Sequence, residues 1–139
     1  VSAATIGMNG NRYSCVVTGT CAPAATSSAA ILTVISPVAI TTQPANVETC
    51  SGGNATFTVA GSSTQTVIYQ WQISTDNGAT WTNVTGANAA THTVANTSVI
   101  MNGNRYRCLL SSATCSAPTT SNAVILLSLI HISEPTRPY

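Results

Sequence analysis

Charge is scarce in this 139-residue sequence. Charged residues make up 5% of the chain, lysine is absent, and the formal net charge is +1. A protein that binds nucleic acid or an anionic membrane through charge presents a basic surface. The few arginines of this chain do not supply such a surface. The composition therefore predicts no nucleic-acid partner and no electrostatic binding to membranes.

Long apolar runs and helical patterns are also missing. The longest apolar run, residues 123–132, is about half of the ~20 residues that a membrane helix requires, so we expect no membrane insertion. No long window shows the period of an amphipathic helix. Neither a methionine nor a signal peptide opens the chain, and we expect an incomplete N-terminus. Hydrophobic residues still make up 44% of the sequence, which indicates a folded chain rather than a disordered one.

The sequence contains an internal repeat. The residues MNGNRY occur at 8–13 and again at 101–106, and the match extends over 8–32 and 101–126 with one inserted residue. The distance between the copies exceeds the roughly 20–50 residues of solenoid repeats and indicates tandem domains. We predict a complete domain over 37–126. Residues 1–36 would then be the last two strands of a preceding domain.

The similarity between the two copies stops after Leu126. Residues 127–137 read LSLIHISEPTR, which matches the translation of a transposon-end adapter used in sequencing libraries. We therefore expect residues 127–139 to be foreign to the natural protein, and we predict neither fold nor site from them. The repeat places Ser128 where the first copy has Val34, on the face shared by Val124 and Leu126. We expect residues 127 and 129 to face outward and residues after 130 to be disordered.

Apolar and polar residues alternate with a period of two between residues 37 and 126. In NATFTVA, for example, Phe57 and Val59 share one face, and turn signals such as Ser-Gly-Gly and Asp-Asn-Gly separate the alternating segments. Short strands at this spacing predict an all-β antiparallel β-sandwich. The side chains expected in its core are Phe57, Val59, Trp71, Tyr106 and Cys108.

Trp71 followed by Tyr106-Arg107-Cys108 resembles the immunoglobulin-like (Ig-like) fold, in which Tyr106 would form the tyrosine corner. The segments CSGGNATFTV, YQWQISTDNGATWTNV and NGNRYRC resemble tandem Ig-like modules of large secreted bacterial surface proteins. The usual inter-sheet disulfide would be missing, because Val59 takes the place of its first cysteine.

The resemblance implies a non-catalytic extracellular or cell-surface module with a spacing and adhesive role. Its partners would be neighbouring Ig-like repeats in the same chain, and a glycan or a host or cell-surface protein. The alternative is a carbohydrate-binding or accessory module of a secreted glycan-degrading enzyme.

Five cysteines, at Cys15, Cys21, Cys50, Cys108 and Cys115, favour an oxidising, extracellular setting and are candidates for disulfides. Their pairing does not follow from the sequence. Cys108 is alternatively a small buried hydrophobe, because it faces the predicted core. Zinc is another interpretation, but the spacings are wider than the two to four residues typical of zinc-binding cysteine pairs. We predict neither a metal nor a cofactor.

Residues 74–81, STDNGATW, match the Asp-box pattern of sialidases and related propellers, where the box shapes a hairpin turn. We expect Asp76 to bind backbone N–H groups of its own turn, Gly78 to adopt a positive φ, and Trp81 to pack across the hairpin. The alternative makes Trp81 a platform for a sugar ring, and it is the glycan-contact candidate of the chain.

Catalytic groups are few. Outside the expected adapter segment the acids are Glu48 and Asp76, and the histidine is His92. A glycosidase requires two convergent carboxylates, and these two lie in different parts of the predicted fold. A sialidase-like hydrolase would need several Asp boxes and an arginine cluster. We therefore predict no catalytic residues and no enzymatic activity, with His92 half-buried and hydrogen-bonded.

Overall fold

The computed structural model describes residues 2–114 and 117–130. The chain consists of two compact units, Val1–Ser36 and Pro37–Tyr139. Both units are built from strands, and each has one short 3-10 turn, Ile6–Met8 in the first and Val99–Met101 in the second. The described residues contain no helix long and apolar enough to cross a membrane. The prediction of an all-β chain is confirmed.

The first unit is an antiparallel hairpin of four short strand segments. Strand β1 (Arg12–Tyr13) pairs with β4 (Ala30–Ile31), and β2 (Val16–Val17) pairs with β3 (Ala25–Thr26). Every residue of these four segments is exposed, and no described residue of the unit is buried. The hairpin therefore has backbone pairing without a core of its own.

The second unit holds two sheets. Its strands are β5 (Ala39–Thr42), β6 (Val47–Cys50), β7 (Ala55–Thr58), β8 (Ala60–Ser62), β9 (Val67–Ser74), β10 (Thr82–Asn83), β11 (Thr91–Val94), β12 (Arg105–Ser112), β13 (Thr119–Thr120) and β14 (Val124–Leu129). The larger sheet has the order β10-β9-β12-β14-β6, with β13 also on β12. The ladders β11–β7 and β5–β8 supply the other layer.

One strand pair departs from the predicted antiparallel arrangement. Strands β14 and β6 run parallel, from Leu126 beside Val47 to Leu129 beside Cys50. The cause is a switch of sheets between β5, which pairs with β8, and β6, which pairs with β14. Because the chain keeps its direction through this switch, β6 runs in the same direction as β14, the last strand, and the two pair in parallel.

The core lies between the two layers. Phe57 and Val59 face Trp71, Tyr106 and Cys108, and these five side chains are all at most 2% exposed. The rings of Phe57 and Tyr106 stack at 4.8 Å between centroids, and Trp71 lies 6.2 Å from Phe57. The indole N–H of Trp71 donates a 2.9 Å hydrogen bond to the Ala89 carbonyl. The largest buried side chain thus leaves no polar group unsatisfied, as burial in a core requires.

The last strand continues past residue 126, which we predicted as the end of the domain. Ser128 is buried beside Leu126, whereas Leu127 and Leu129 are 39% and 45% exposed. Backbone pairing with β6 does not depend on side-chain identity, so residues that differ from the first copy can still complete the strand. Residues 131–139 lie outside the described residues, and the predicted disorder of the tail therefore stays a prediction.

Candidate functional site

The turn after β9 contains a dense polar network around Asp76. Its carboxylate accepts hydrogen bonds from the Ser74 hydroxyl at 2.6 Å, from the Thr80 N–H at 2.8 Å and from the Thr80 hydroxyl. The bonds from Ser74 and Thr80 lower the pKa of Asp76 to about 2. Asn77 and Gly78 adopt φ of 63° and 93°, which closes the turn. The carboxylate is therefore engaged by its own turn, as an Asp box requires.

Trp81 lies half-buried beside this turn. Its indole N–H donates to the Gly78 carbonyl at 3.1 Å. The guanidinium carbon of Arg107 lies 4.2 Å from the ring centroid, in the geometry of a cation–π contact. One face of the indole is therefore covered by Arg107. A sugar ring that stacked on this face would first have to displace the guanidinium.

Arg107 is held by a chain of side chains across the outer face of the larger sheet. Its Nε–H donates to Gln72 Oε1 at 2.8 Å, and Gln72 Nε2 donates to Asn83 Oδ1 at 2.8 Å. The strand register puts Gln72 opposite both partners. We call Trp81, Arg107, Gln72 and Asn83 the Arg107 face. It is a hydrogen-bonded polar surface on the outer face of the larger sheet and our candidate for a contact site.

Sequence reasoning found Trp81 but missed the rest of the Arg107 face. Alternation along β12 placed Tyr106 and Cys108 inward, so Arg107 between them had to point outward. Which residue it would meet depends on how β9 and β12 are aligned, and that alignment is set by the whole sandwich.

The carboxylates do not converge. Glu48 lies on β6 and Asp76 follows β9, and strands β12 and β14 stand between β6 and β9. Three strand spacings amount to about 14 Å, beyond the roughly 9.5 Å upper limit for a glycosidase pair. Among the described residues, no group of three or more His, Cys, Asp or Glu side chains is placed to hold a metal ion.

His92 lies on β11 in the other layer, beside Phe57. Its ring centroid is 5.9 Å from that of Trp71 and 5.8 Å from that of Tyr106. Half-burial among these rings lowers its pKa below the usual 6.5, because the charged imidazolium is poorly solvated there. The histidine thus occupies a core-facing position of the sandwich.

This environment predicts an acid-sensitive stability. The pKa of His92 is lower in the folded than in the unfolded chain, so the unfolded chain binds more protons below pH 6.5. The contribution of His92 to the unfolding free energy should be fully present above pH 6.5. It should be lost as the pH drops through 6.5 toward the lowered pKa. Urea unfolding at several pH values, compared between the wild type and His92→Leu, measures this. The contribution of Asp76 is lost as the pH falls from near its usual pKa of 3.8 toward about 2, and it is the same in both proteins, so the comparison removes it. Identical pH dependence in both proteins would contradict the assignment.

Among the described residues, the candidate cysteines form no disulfide. Cys15, Cys21 and Cys50 are exposed free thiols, and Cys108 is a buried one. Cys115 lies outside the described residues. Burial raises the pKa of Cys108 to about 11, which keeps the thiol protonated. Its surroundings fit the alternative of a small buried hydrophobe. The internal repeat had already placed Cys15 and Cys108 at matching positions of the two copies, and the structure puts them in separate units.

Comparisons with known proteins agree with this architecture. Residues 39–128 match the model of a family described as a domain of unknown function, DUF8696. No curated protein sequence matches the chain.

Solved structures that resemble the chain include an I-band fragment of titin, with a TM-score of 0.62 and 17% identity over 91% of this chain and 43% of that one. Extracellular domains 3–5 of Drosophila OTK give 0.60 and 15%, over 85% of this chain and 40% of that one. A titin–obscurin-like 1 Ig complex gives 0.53 and 17%, over 72% and 100%. At such identities the likeness shows the fold alone, and that fold is an Ig-like β-sandwich.

Proposed function

The chain belongs to the DUF8696 family, and we propose that it is a non-catalytic Ig-like repeat of a secreted or cell-surface bacterial protein, with a spacing and adhesive role. In this proposal Pro37–Tyr139 contains one Ig-like domain and Val1–Ser36 is the end of a preceding one. Residues after 126 derive from an adapter. Its partners are the neighbouring repeats and, at exposed loops, a glycan or a protein of a host or cell surface.

The observation that carries the proposal is that one chain builds the same hairpin twice. The turn Ile6–Met8 is followed by β1, and the turn Val99–Met101 is followed by β12. Each of these strands begins with Arg-Tyr after an asparagine. A module that recurs along a chain supports a role in spacing, because rigid sandwiches in series hold a distal end away from an anchoring point. Similarity to three-domain Ig arrays supports the same reading.

The side chains of the second unit favour a binding role over a catalytic one. The Asp76 carboxylate serves its turn, Glu48 stands alone on β6, and His92 faces aromatic rings. Strand faces rich in threonine, such as Thr56 paired with Thr93 through their hydroxyls at 3.0 Å, are neutral and hydrogen-bonded. Neutral outer faces limit non-specific pairing between neighbouring sandwiches.

Trp81 separates this proposal from a carbohydrate-binding module. We expect Trp81→Ala to lower the unfolding free energy by about 1–2 kcal/mol through loss of the Arg107 contact and part of its burial. Binding on a glycan array should be unchanged by the substitution, because the proposed contacts at exposed loops do not involve Trp81. Trp81→Phe is the matched control, since it keeps a ring beneath the guanidinium. Glycan binding that disappears in Trp81→Ala and persists in Trp81→Phe, with the fold intact, would favour the carbohydrate-binding alternative.

A further inference from the structure

The hairpin of the first unit copies the hairpin that completes the sandwich of the second. All four of its cross-strand pairs recur at equivalent positions: Arg12 with Ile31 as Arg105 with Ile125, Tyr13 with Ala30 as Tyr106 with Val124, Val16 with Thr26 as Leu109 with Thr120, and Val17 with Ala25 as Leu110 with Thr119. Strand register is therefore identical in the two hairpins.

Hydrogen bonds from side chains recur as well. The Val34 N–H donates to Asn9 Oδ1 at 2.9 Å, and the Ser128 N–H donates to Asn102 Oδ1 at 3.0 Å. The N–H of Cys15 donates to the Ser27 hydroxyl, and that of Cys108 to the Ser121 hydroxyl, both at 2.9 Å. The first hairpin thus has the shape of the second although no core supports it.

The two hairpins differ in what covers their apolar faces. Tyr106 and Leu110 are 2% and 0% exposed, whereas Tyr13 and Val17 at the equivalent positions are 43% and 63% exposed. The donor face, which we define as Tyr13, Cys15, Val17, Leu32 and Val34, carries the residues that an Ig-like core accepts.

We propose that the donor face docks into the sandwich of a second copy of this chain, in the place of residues 101–128 of that copy. The inference rests on the proposed repeat relation between the two units. In the intact chain the place is filled by the second hairpin, so exchange requires that this hairpin be displaced. The donor is well suited to the place, because Val34 brings an apolar side chain where Ser128 buries a hydroxyl without a partner.

Chain length directs the exchange to a second copy. The place for Val34 lies beside Thr49, next to Cys50 at the end of β6, where the turn toward Ala55 begins. From Ala55 the chain continues through β7 and β8 to Ser62. Ala39 lies opposite Ser62, at the far end of this segment. Residues 55–62 extend over about 23 Å, whereas the chain from residue 34 to residue 39 reaches at most about 17 Å. The first hairpin cannot fill the place within its own chain.

Full-length variants in a Trp81→Phe background test the exchange, with Trp71 emission reporting the core and light scattering reporting the mass. Leu110→Asp with Leu126→Asp puts unpaired charges into the second hairpin and expels it from the core. We expect this variant to keep a buried-type Trp71 emission and to double its mass. Adding Val17→Asp and Leu32→Asp should shift the emission to that of exposed tryptophan. Equal emission of the two variants, or a folded monomer of the first, would overturn the proposal.

A mixing experiment tests the exchange without requiring the variant Leu110→Asp with Leu126→Asp to fold by itself. The chain with all four aspartates is refolded with wild type, or with a matched control that carries only Val17→Asp and Leu32→Asp. We expect a one-to-one complex with wild type and none with the control. Equal capture by both, or by neither, would overturn the proposal. The Trp81 glycan experiment has a separate readout, so failure of the exchange leaves the proposed function standing.

Discussion

Replacing Trp71 with alanine is expected to lower the unfolding free energy by about 3–5 kcal/mol, the range for deleting a large buried aromatic side chain. Trp71 is fully buried, contacts Phe57 and His92, and donates its indole N–H to the Ala89 carbonyl. The substitution leaves a cavity in the core and removes the hydrogen bond to the Ala89 carbonyl. Since a typical domain has only about 5–15 kcal/mol of stability, much of it would be lost.

Urea unfolding followed by far-UV circular dichroism measures this effect without relying on tryptophan emission. Trp81→Ala is the matched control, because the same side chain is removed from the surface and should cost no more than about 1–2 kcal/mol. A Trp71→Ala chain that unfolds at the same urea concentration as Trp81→Ala would show that Trp71 is not in the core.

The reverse effect is expected at Ser128, where valine should stabilise the protein by about 2 kcal/mol and raise its melting temperature by roughly 10 °C. Ser128 is 4% exposed, and its hydroxyl has no hydrogen-bond partner. Valine removes the unsatisfied hydroxyl and adds buried apolar surface. The first copy already has Val34 here, held by the same asparagine contact.

Leu127→Thr is the matched control for Ser128→Val. Position 127 faces outward and is threonine in the first copy, so the change should stay within about 0.5 kcal/mol. Replacing residues 127–139 with TVIS should combine both changes, raise the melting temperature and reduce aggregation, because the exposed Leu127 and Ile130 then become threonine and serine as in the first copy. If Ser128→Val melts no higher than the original chain by scanning calorimetry, position 128 is not a core position.

The alternation of apolar and polar residues predicted much of this fold, because the side chains of a strand point alternately to its two faces. Phe57 and Val59 on one side, and Tyr106 and Cys108 on the other, could be assigned inward from their own segments. The internal repeat predicted that Ser128 shares the face of Leu126. These assignments need no knowledge of which strand lies beside which.

Features set by distant parts of the chain escaped the sequence. The parallel pairing of β6 with β14 follows from a sheet switch after Thr42, and no local signal marks it. The Arg107 face depends on the alignment of β9 with β12. The free state of Cys15 and Cys50 depends on where the fold carries each thiol, which a count of cysteines does not give.

Native-state amide hydrogen exchange of the full chain tests the central claim most directly. That claim is that the closed Ig-like core belongs to the second unit, while the first unit is an equivalent hairpin without one. The repeat supplies an internal control, because residues 13–17 and 106–110 occupy the same register. In the monomer, where the donor face has not exchanged, we predict strong protection across 106–110, approaching global stability, and weak protection across 13–17. Comparable strong protection of both segments would contradict the account.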